Sequence, residues 1–129
     1  MTKIEQGLLY TRDDEWVRVE GDEGTVGITD YAQDALSDIV FLELPEVGGH
    51  FEAGEAFGVV ESVKAAADLN MPVSGEILSA NEGLLDTPEL LNSDPYDAAW
   101  LVKIRISDPG QLEGLMDATA YEAYCQERS

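Results

Sequence analysis

The stretch Gly58-Val59-Val60-Glu61-Ser62-Val63-Lys64-Ala65-Ala66-Ala67-Asp68-Leu69 decides the fold. It predicts a β-strand that ends near Glu61, a short connection around Lys64, and a second strand beyond it. Lys64 is the only lysine or arginine between Arg18 and Lys103. A hairpin tip presents its side chains to solvent, so this isolated amine is interpreted as a covalent attachment point.

Short strands are predicted on both sides of this hairpin, because apolar and polar residues alternate or β-branched residues cluster between turn signals. The predicted strands are residues 8–10, 15–20, 25–28, 39–44, 56–61, 66–70, 75–80 and 100–106. Glycine- and proline-containing turns separate them, among them a hairpin turn over residues 21–24. In the last strand, Trp100, Val102, Ile104 and Ile106 are expected to point inward. This frequency of strands and turns favours a compact barrel or sandwich.

Helix starts are predicted where a capping side chain precedes helix-compatible sequence. They are Thr29-Asp30 before residues 31–36, Thr87 before Pro88, Asp108 before Pro109, and a capping box from Thr119 to Glu122. Leu112, Leu115 and Met116 keep helical spacing after the third of these starts. The chain is therefore expected to be one domain over residues 1–129, with C-terminal helices at about 108–128.

Charge narrows the possible partners. The 129-residue chain has 27 acidic and 7 basic side chains, a formal net charge of -20. Such a protein repels nucleic acid and anionic membranes but favours basic protein surfaces, and its acidity would also suit a salt-adapted host. The N-terminus lacks a secretory or transit pattern, and no apolar run is long enough to span a bilayer. A cytoplasmic location is expected, or the mitochondrial matrix for a processed organellar form.

No constellation for catalysis or metal binding is evident. His50 is the single histidine and Cys125 the single cysteine, whereas a structural zinc site needs four such ligands. His50 is expected at a turn on the surface, and Cys125 as an ordinary thiol on a C-terminal helix. Ser62 is not in a glycine-flanked nucleophile elbow. The chain is therefore predicted not to be an enzyme, with no catalytic residue and no metal ligand.

The region around Lys64 resembles a known family. Residues 61–68 followed by Pro72-Val73-Ser74-Gly75 are similar to the lipoylation region of the glycine cleavage system H protein family. The other matching segments, in order, are Tyr10-Thr11 with Glu15-Trp16, residues 26–33, residues 44–48, residues 88–96, Trp100 and residues 121–124. The resemblance therefore covers nearly the whole chain.

The resemblance implies a barrel-sandwich hybrid of the lipoyl/biotinyl-carrier type and a carrier function. Lys64 would carry lipoate in amide linkage, and the flanking motif residues would be Glu61, Ser62, Val63, Ala65, Asp68 and Gly75. The implied partners are a pyridoxal-phosphate glycine decarboxylase, a tetrahydrofolate-dependent aminomethyltransferase, a dihydrolipoyl dehydrogenase, and a lipoate ligase or lipoyl/octanoyl transferase. The arm would pass the aminomethyl group of glycine from the first enzyme to the second, and the third would reoxidise it.

The resemblance also implies a cleft for the loaded arm. A protonated aminomethyl group is held best by carboxylates, and Glu15 and Asp68 lie in matching motifs. For each of these two acids a solvated surface position is the alternative. The sequence departs from the family at Asp14, where histidine is frequent, and at Ser37, where glycine is common. It also departs at Ala67, where serine is frequent, and at Ala98-Ala99, where glycine is common before Trp100.

Other functions stay open at this point. The chain could relay lipoyl groups to 2-oxo acid dehydrogenases, or it could be an unmodified acidic binding module. A biotin carrier is disfavoured because Val63 and Ala65 flank the lysine instead of methionines, and a hydrolase has no supporting residues. A monomer suits a carrier that visits several enzymes.

Overall fold

Two antiparallel sheets form the structure, which is a computed structural model that describes residues 2–128. The strands are β1 (Leu9–Tyr10), β2 (Glu15–Glu20), β3 (Glu23–Ile28), β4 (Ile39–Glu43), β5 (His50–Phe51), β6 (Ala56–Ser62), β7 (Ala66–Asn70), β8 (Gly75–Ala80) and β9 (Val102–Ile106). The helices are α1 (Asp30–Leu36), α2 (Leu90–Ser93) and α3 (Ala118–Arg128), with 3₁₀ segments at Glu82–Asp86 and Pro109–Gly114.

The two sheets differ in their number of strands, and the smaller one contains the Lys64 hairpin. The larger has the strand order β1-β2-β3-β9-β8-β5, and the smaller has the order β4-β6-β7. The central hairpin predicted around Lys64 is the β6–β7 pair, so it lies in the three-stranded sheet. The prediction of a mainly β fold with short helices and a C-terminal helical segment is confirmed.

The β2–β3 turn is shorter than the sequence predicts. Glu20 pairs with Glu23, so the turn is Gly21-Asp22, and Glu23 and Gly24 belong to β3. Gly21 has φ +65°, a conformation that glycine adopts without strain. At Gly24 an added Cβ would lie 2.8 Å from Cγ2 of Val17, so this glycine is required for packing within the sheet.

One hydrophobic core lies between the sheets and receives alternate residues of the strands. In β9, Val102, Ile104 and Ile106 are buried, as their alternation predicts. Trp100 is an exception, because β9 begins at Val102 and Leu101 is the fully buried residue before it. The Trp100 amide instead donates to the Asp97 carbonyl in the preceding turn, which places the indole outside the strand.

A second apolar cluster joins α3 to the larger sheet. Its buried members are Leu8, Tyr10, Trp16, Tyr96, Ala118, Tyr121 and Cys125. Tyr10 and Tyr121 stack with their ring centroids 4.4 Å apart. Tyr96 packs beneath the turn that follows α2, and the Trp16 indole donates to the Pro95 carbonyl at 3.0 Å.

Two of the predicted helix caps are confirmed and two are wrong. Thr29 accepts the Ala32 amide at the start of α1, and Asp108 accepts the Gly110 amide, but the segment after Asp108 is a 3₁₀ turn that ends at Gly114. Leu115 and Met116 therefore leave the helix, and Met116 pairs with Tyr10 as an isolated bridge.

The cap of α3 is Asp117, whose carboxylate accepts the Ala120 amide at 2.8 Å. The helix therefore begins at Ala118, and the predicted capping box from Thr119 is wrong. Thr87 does not open α2 either, because its hydroxyl donates to the Gly83 carbonyl and closes the preceding 3₁₀ segment. α2 begins at Leu90, so Pro88 lies outside it.

Candidate functional site

Lys64 lies at the tip of the β6–β7 hairpin, where the sequence predicts it. Glu61 pairs with Ala66, and the Ser62 amide donates to the Ala65 carbonyl at 2.7 Å. Val63 and Lys64 are thereby left as the outermost residues of the connection, and Val63 is 69% exposed. Lys64 is exposed as well. The amine is accessible to an enzyme that approaches from solvent.

The Ser62 side chain orders this tip. Its hydroxyl oxygen accepts the amides of Lys64 at 3.2 Å and Ala65 at 3.0 Å, and the hydroxyl donates to the Ala65 carbonyl at 3.1 Å. A serine side chain makes such local backbone contacts readily because its hydroxyl reaches the amides two and three residues ahead. Ser62 therefore holds the peptide groups on both sides of Lys64 in one conformation.

The tip also contacts the connection between α1 and β4. The Val63 amide donates to the Asp38 carbonyl at 3.0 Å, and Nζ of Lys64 donates to the Ala35 carbonyl at 3.1 Å. Ala35 lies in the last turn of α1, where unpaired carbonyls and the helix dipole favour a cation. This contact is exposed, so solvent competes with it and the amine stays available for reaction.

Glu15 is buried beside the strand that leaves the tip. Glu15 is only 2% exposed to solvent. Its carboxyl accepts the Thr11 hydroxyl at 2.8 Å and the Asn70 amide at 3.2 Å. Burial raises the pKa of Glu15 to about 8, while these two hydrogen bonds act in the opposite direction. At neutral pH this carboxyl is therefore mostly protonated. A solvated surface position is excluded for Glu15.

Asp68 lies on the same strand as Asn70, the residue that contacts Glu15. The two are two positions apart in β7, so their side chains leave the same face of the sheet. Asp68 is exposed, unlike Glu15. The fold therefore brings both predicted acids to β7, one buried at the edge of the strand and one on its surface.

The other predicted flanking residues divide into two groups. Glu61 and Ala65 are exposed near the tip. Gly75 is in the other sheet, where a Cβ would lie 2.6 Å from the Arg105 carbonyl oxygen. Gly75 therefore allows β8 and β9 to approach each other, which is a structural reason for a glycine at this position.

Two of the departures from the family pattern, Asp14 and Ser37, lie at positive φ. Asp14 has φ +70° and accepts the Tyr121 hydroxyl at 2.8 Å and two donors of Arg128 at 2.7 and 3.0 Å. Ser37 also has φ +70°, with ψ -154°, at the end of α1. Asp14 thus contacts α3, and Ser37 lies in the connection beneath the hairpin tip.

Sequence reasoning missed Thr11 and Asn70 as the partners of Glu15. A backbone amide such as that of Asn70 leaves no side-chain signal, so only the folded chain reveals this contact. His50 is exposed and its Nε2 lies 3.1 Å from Oγ of Ser107, which confirms its surface position. Cys125 is buried on α3. Within residues 2–128, no three histidine, cysteine or acidic side chains cluster as metal ligands would.

Helices in the described part of the chain, residues 2–128, are all too short or too polar to cross a membrane.

Comparison with known proteins identifies the family of the chain. Residues 8–128 match the family described as Glycine cleavage H-protein. The glycine cleavage system H protein of Halothermothrix orenii is 52% identical over 124 residues, covering 96% of this chain and 97% of that protein. That of Chromohalobacter salexigens is 54% identical over 124 residues, covering 95% of each chain.

A solved structure shows the same fold. The crystal structure of a glycine cleavage system H protein from Mycobacterium marinum superposes with a TM-score of 0.85 at 38% sequence identity. The match covers 97% of this chain and 98% of that chain. The chain therefore belongs to the glycine cleavage H-protein family, whose members are carrier subunits and not enzymes.

Proposed function

We propose that the chain is a lipoyl carrier of glycine cleavage and that Lys64 bears lipoate in amide linkage. The observation that carries this proposal is the exposed Lys64 amine on an ordered hairpin tip, in a chain of the H-protein family. The carrier would take the aminomethyl group of glycine from the pyridoxal-phosphate decarboxylase to the tetrahydrofolate-dependent aminomethyltransferase. Dihydrolipoyl dehydrogenase would then reoxidise it. A cytoplasmic, single-domain monomer over residues 1–129 suits this role.

Each residue of the site has a separate role in this proposal. Lipoate, when attached, would supply the disulfide that exchanges groups and electrons. Lys64 supplies the amide nitrogen, and acylation removes its charge and with it the attraction to the Ala35 carbonyl. The contact of the arm with the end of α1 is thereby weakened.

Glu15 and Asp68 are proposed to hold the cationic end of the loaded arm. Asp68 is on β7, the strand that starts at the tip, and the carboxyl of Glu15, which belongs to β2, accepts the Asn70 amide at the far end of β7. A cation near Glu15 favours its ionised form, so the carboxyl would release a proton when the amine arrives. Thr11 and the Asn70 amide then stabilise the carboxylate that forms, because both donate to it.

Intact-mass spectrometry tests the attachment. The purified protein is incubated with a lipoate ligase, ATP and lipoate, beside the variants Lys64→Arg and Lys103→Arg. The expected result is a single lipoyl mass increase for the wild type and for Lys103→Arg, and none for Lys64→Arg. A wild-type mass that does not change, or an increase that persists in Lys64→Arg, contradicts the proposal.

The carrier role in glycine cleavage has its own assay. Lipoylated protein is mixed with glycine, the decarboxylase and labelled bicarbonate, and incorporation of label into the glycine carboxyl is followed. Exchange that depends on lipoylated Lys64 supports the role. Absence of exchange, together with transfer of the lipoyl group from this protein to a 2-oxo acid dehydrogenase, would instead favour the relay of lipoyl groups.

A further inference from the structure

The side chain of Asn92 makes hydrogen bonds with the backbone of residues 37–39, which lies beneath the hairpin tip. Asn92 lies in α2, far from Lys64 in sequence. Its Nδ2 donates to the Ser37 carbonyl at 2.8 Å, and its Oδ1 accepts the Ile39 amide at 2.9 Å. These two groups flank Asp38, so the Asn92 side chain fixes the chain on both sides of that residue.

Asp38 is the residue that supports the tip. Its carbonyl accepts the Val63 amide at 3.0 Å, and Val63 directly precedes Lys64. The nearby Ala35 carbonyl accepts Nζ of Lys64. The connection from Ala35 to Ile39 is therefore the surface on which the tip rests, and Asn92 determines the course of that connection.

This connection needs support from outside, because its own conformation is unfavourable. Ser37 has φ +70° and ψ -154°, a combination that is rarely populated except by glycine. Such a residue keeps its conformation only where neighbouring groups hold it. The Asn92 amide does so through the Ser37 carbonyl, and it also donates to Oε1 of Gln33 on α1 at 3.0 Å.

From these contacts we propose that Asn92 is a positioning residue for the acylation of Lys64. The proposal rests on the proposed function, since it concerns how the acceptor amine is presented to the acylating enzyme. Asn92 acts through Asp38 and Val63 and does not touch the amine itself. Loss of its side chain allows the connection to move, and the tip then samples conformations that the acylating enzyme does not accept.

A matched control is present in the same chain. Nδ2 of Asn81 also donates to two carbonyls, those of Ala98 at 3.1 Å and Trp100 at 2.8 Å. These contacts serve the segment before β9 and not the hairpin tip. Asn92→Ala and Asn81→Ala therefore remove similar hydrogen bonds, and only the first disturbs the support of Lys64.

The test compares kcat/KM for ligase-catalysed lipoylation at a temperature where circular dichroism shows every variant to be folded. We expect Asn92→Ala to lower kcat/KM by about tenfold, whereas Asn81→Ala stays within about twofold of the wild type. Asn92→Asp keeps the acceptor for the Ile39 amide but loses the donor to the Ser37 carbonyl. Its second carboxylate oxygen would also face the Ser37 carbonyl and Oε1 of Gln33, which are both acceptors. It serves as the second variant if Asn92→Ala does not fold, with a loss of kcat/KM in the same direction.

Hydrogen exchange at the Val63 amide gives a readout that does not depend on the ligase. This amide should exchange about tenfold faster in Asn92→Ala and at the wild-type rate in Asn81→Ala. Wild-type kcat/KM with unchanged Val63 exchange in Asn92→Ala overturns the proposal, as does an equal loss in both variants. If instead the wild type is not lipoylated at all, it is the proposed function that fails.

Discussion

Glu15 is an acid whose ionisation the fold opposes, and this has a consequence for stability. Its pKa is raised from 4.5 to about 8 in the folded protein, so between these pH values the folded state binds more protons than the unfolded chain. Stability contributed by the protonated group is complete at low pH and is lost as the pH rises through the folded pKa. The buried carboxyl is thus tolerated at neutral pH mainly in its protonated form.

Glu15→Gln replaces this carboxyl by a neutral amide of the same shape. We expect the variant and the wild type to have similar free energies of unfolding near pH 5. As the pH rises to 9, the free energy of unfolding of the variant should exceed that of the wild type by roughly 2–4 kcal/mol. Urea denaturation at several pH values measures the difference. Glu20→Gln, at the exposed end of the same strand, should show no such trend, and a flat difference for Glu15→Gln would contradict the buried-acid interpretation.

Ser37 is a second residue whose backbone conformation leads to a testable prediction. Its backbone lies at φ +70° and ψ -154°, where a Cβ is unfavourable. Ser37→Gly should therefore raise the free energy of unfolding by about 1 kcal/mol, even though glycine makes the unfolded chain more flexible. Ser37→Ala retains the Cβ and should give no gain. Thermal or urea denaturation of the wild type, Ser37→Gly and Ser37→Ala measures these differences. A Ser37→Gly variant less stable than the wild type would show that the backbone is not strained there.

At the scale of elements, α3 contacts the β1–β2 turn through the hydroxyls of Tyr121 and Tyr124 and through the guanidinium of Arg128. Arg128 binds Asp14 with two hydrogen bonds, and its guanidinium lies 4.0 Å from the Tyr31 ring centroid and 3.9 Å from that of Tyr124. Both partners of the ion pair are largely shielded from solvent. This is more favourable than an exposed pair, because bidentate geometry and aromatic stacking add to the charge interaction.

Arg128→Met should therefore loosen the end of α3. We expect a loss of about 1–3 kcal/mol in the free energy of unfolding and faster proteolysis within residues 118–128. Asp14→Asn should lose a similar amount, and the double variant should lose less than the sum, because the two residues contact each other. Additive losses in this double-mutant cycle would show that the pair contributes little.

At the scale of the whole molecule, the net charge of -20 repels itself in the folded state. Raising NaCl from about 0.05 to 0.5 M shortens the screening length and should raise the melting temperature by several degrees. Potassium chloride at equal ionic strength should have the same effect, since screening depends on ionic strength. A melting temperature that is unchanged or lower in salt would mean that self-repulsion does not limit stability.

Sequence and structure agree best where the signal is local. The alternation in β2 and β9 follows from residue patterns of period two, and the predicted bounds of β7 and β8 follow from the turns between them. The helix caps are harder to predict, because several polar residues near the starts of α2 and α3 are able to act as caps. Asp117 and not Thr119 caps α3, and Thr87 is used by the preceding 3₁₀ segment. Which of several neighbouring side chains accepts a helix-start amide depends on the backbone conformation around it, which the tertiary fold sets.

The sequence by itself determined the β6–β7 hairpin, the exposed Lys64 at its tip and the acidic surface, because turn residues, alternation and charge act over a few positions. Only the tertiary structure decided that Glu15 is buried and mostly protonated, that Asn92 supports the tip, and that Arg128 holds α3. These contacts join residues 55, 53 and 114 positions apart, respectively. Burial and hydrogen bonding at such separations depend on how the sheets and helices meet, and no local pattern encodes them.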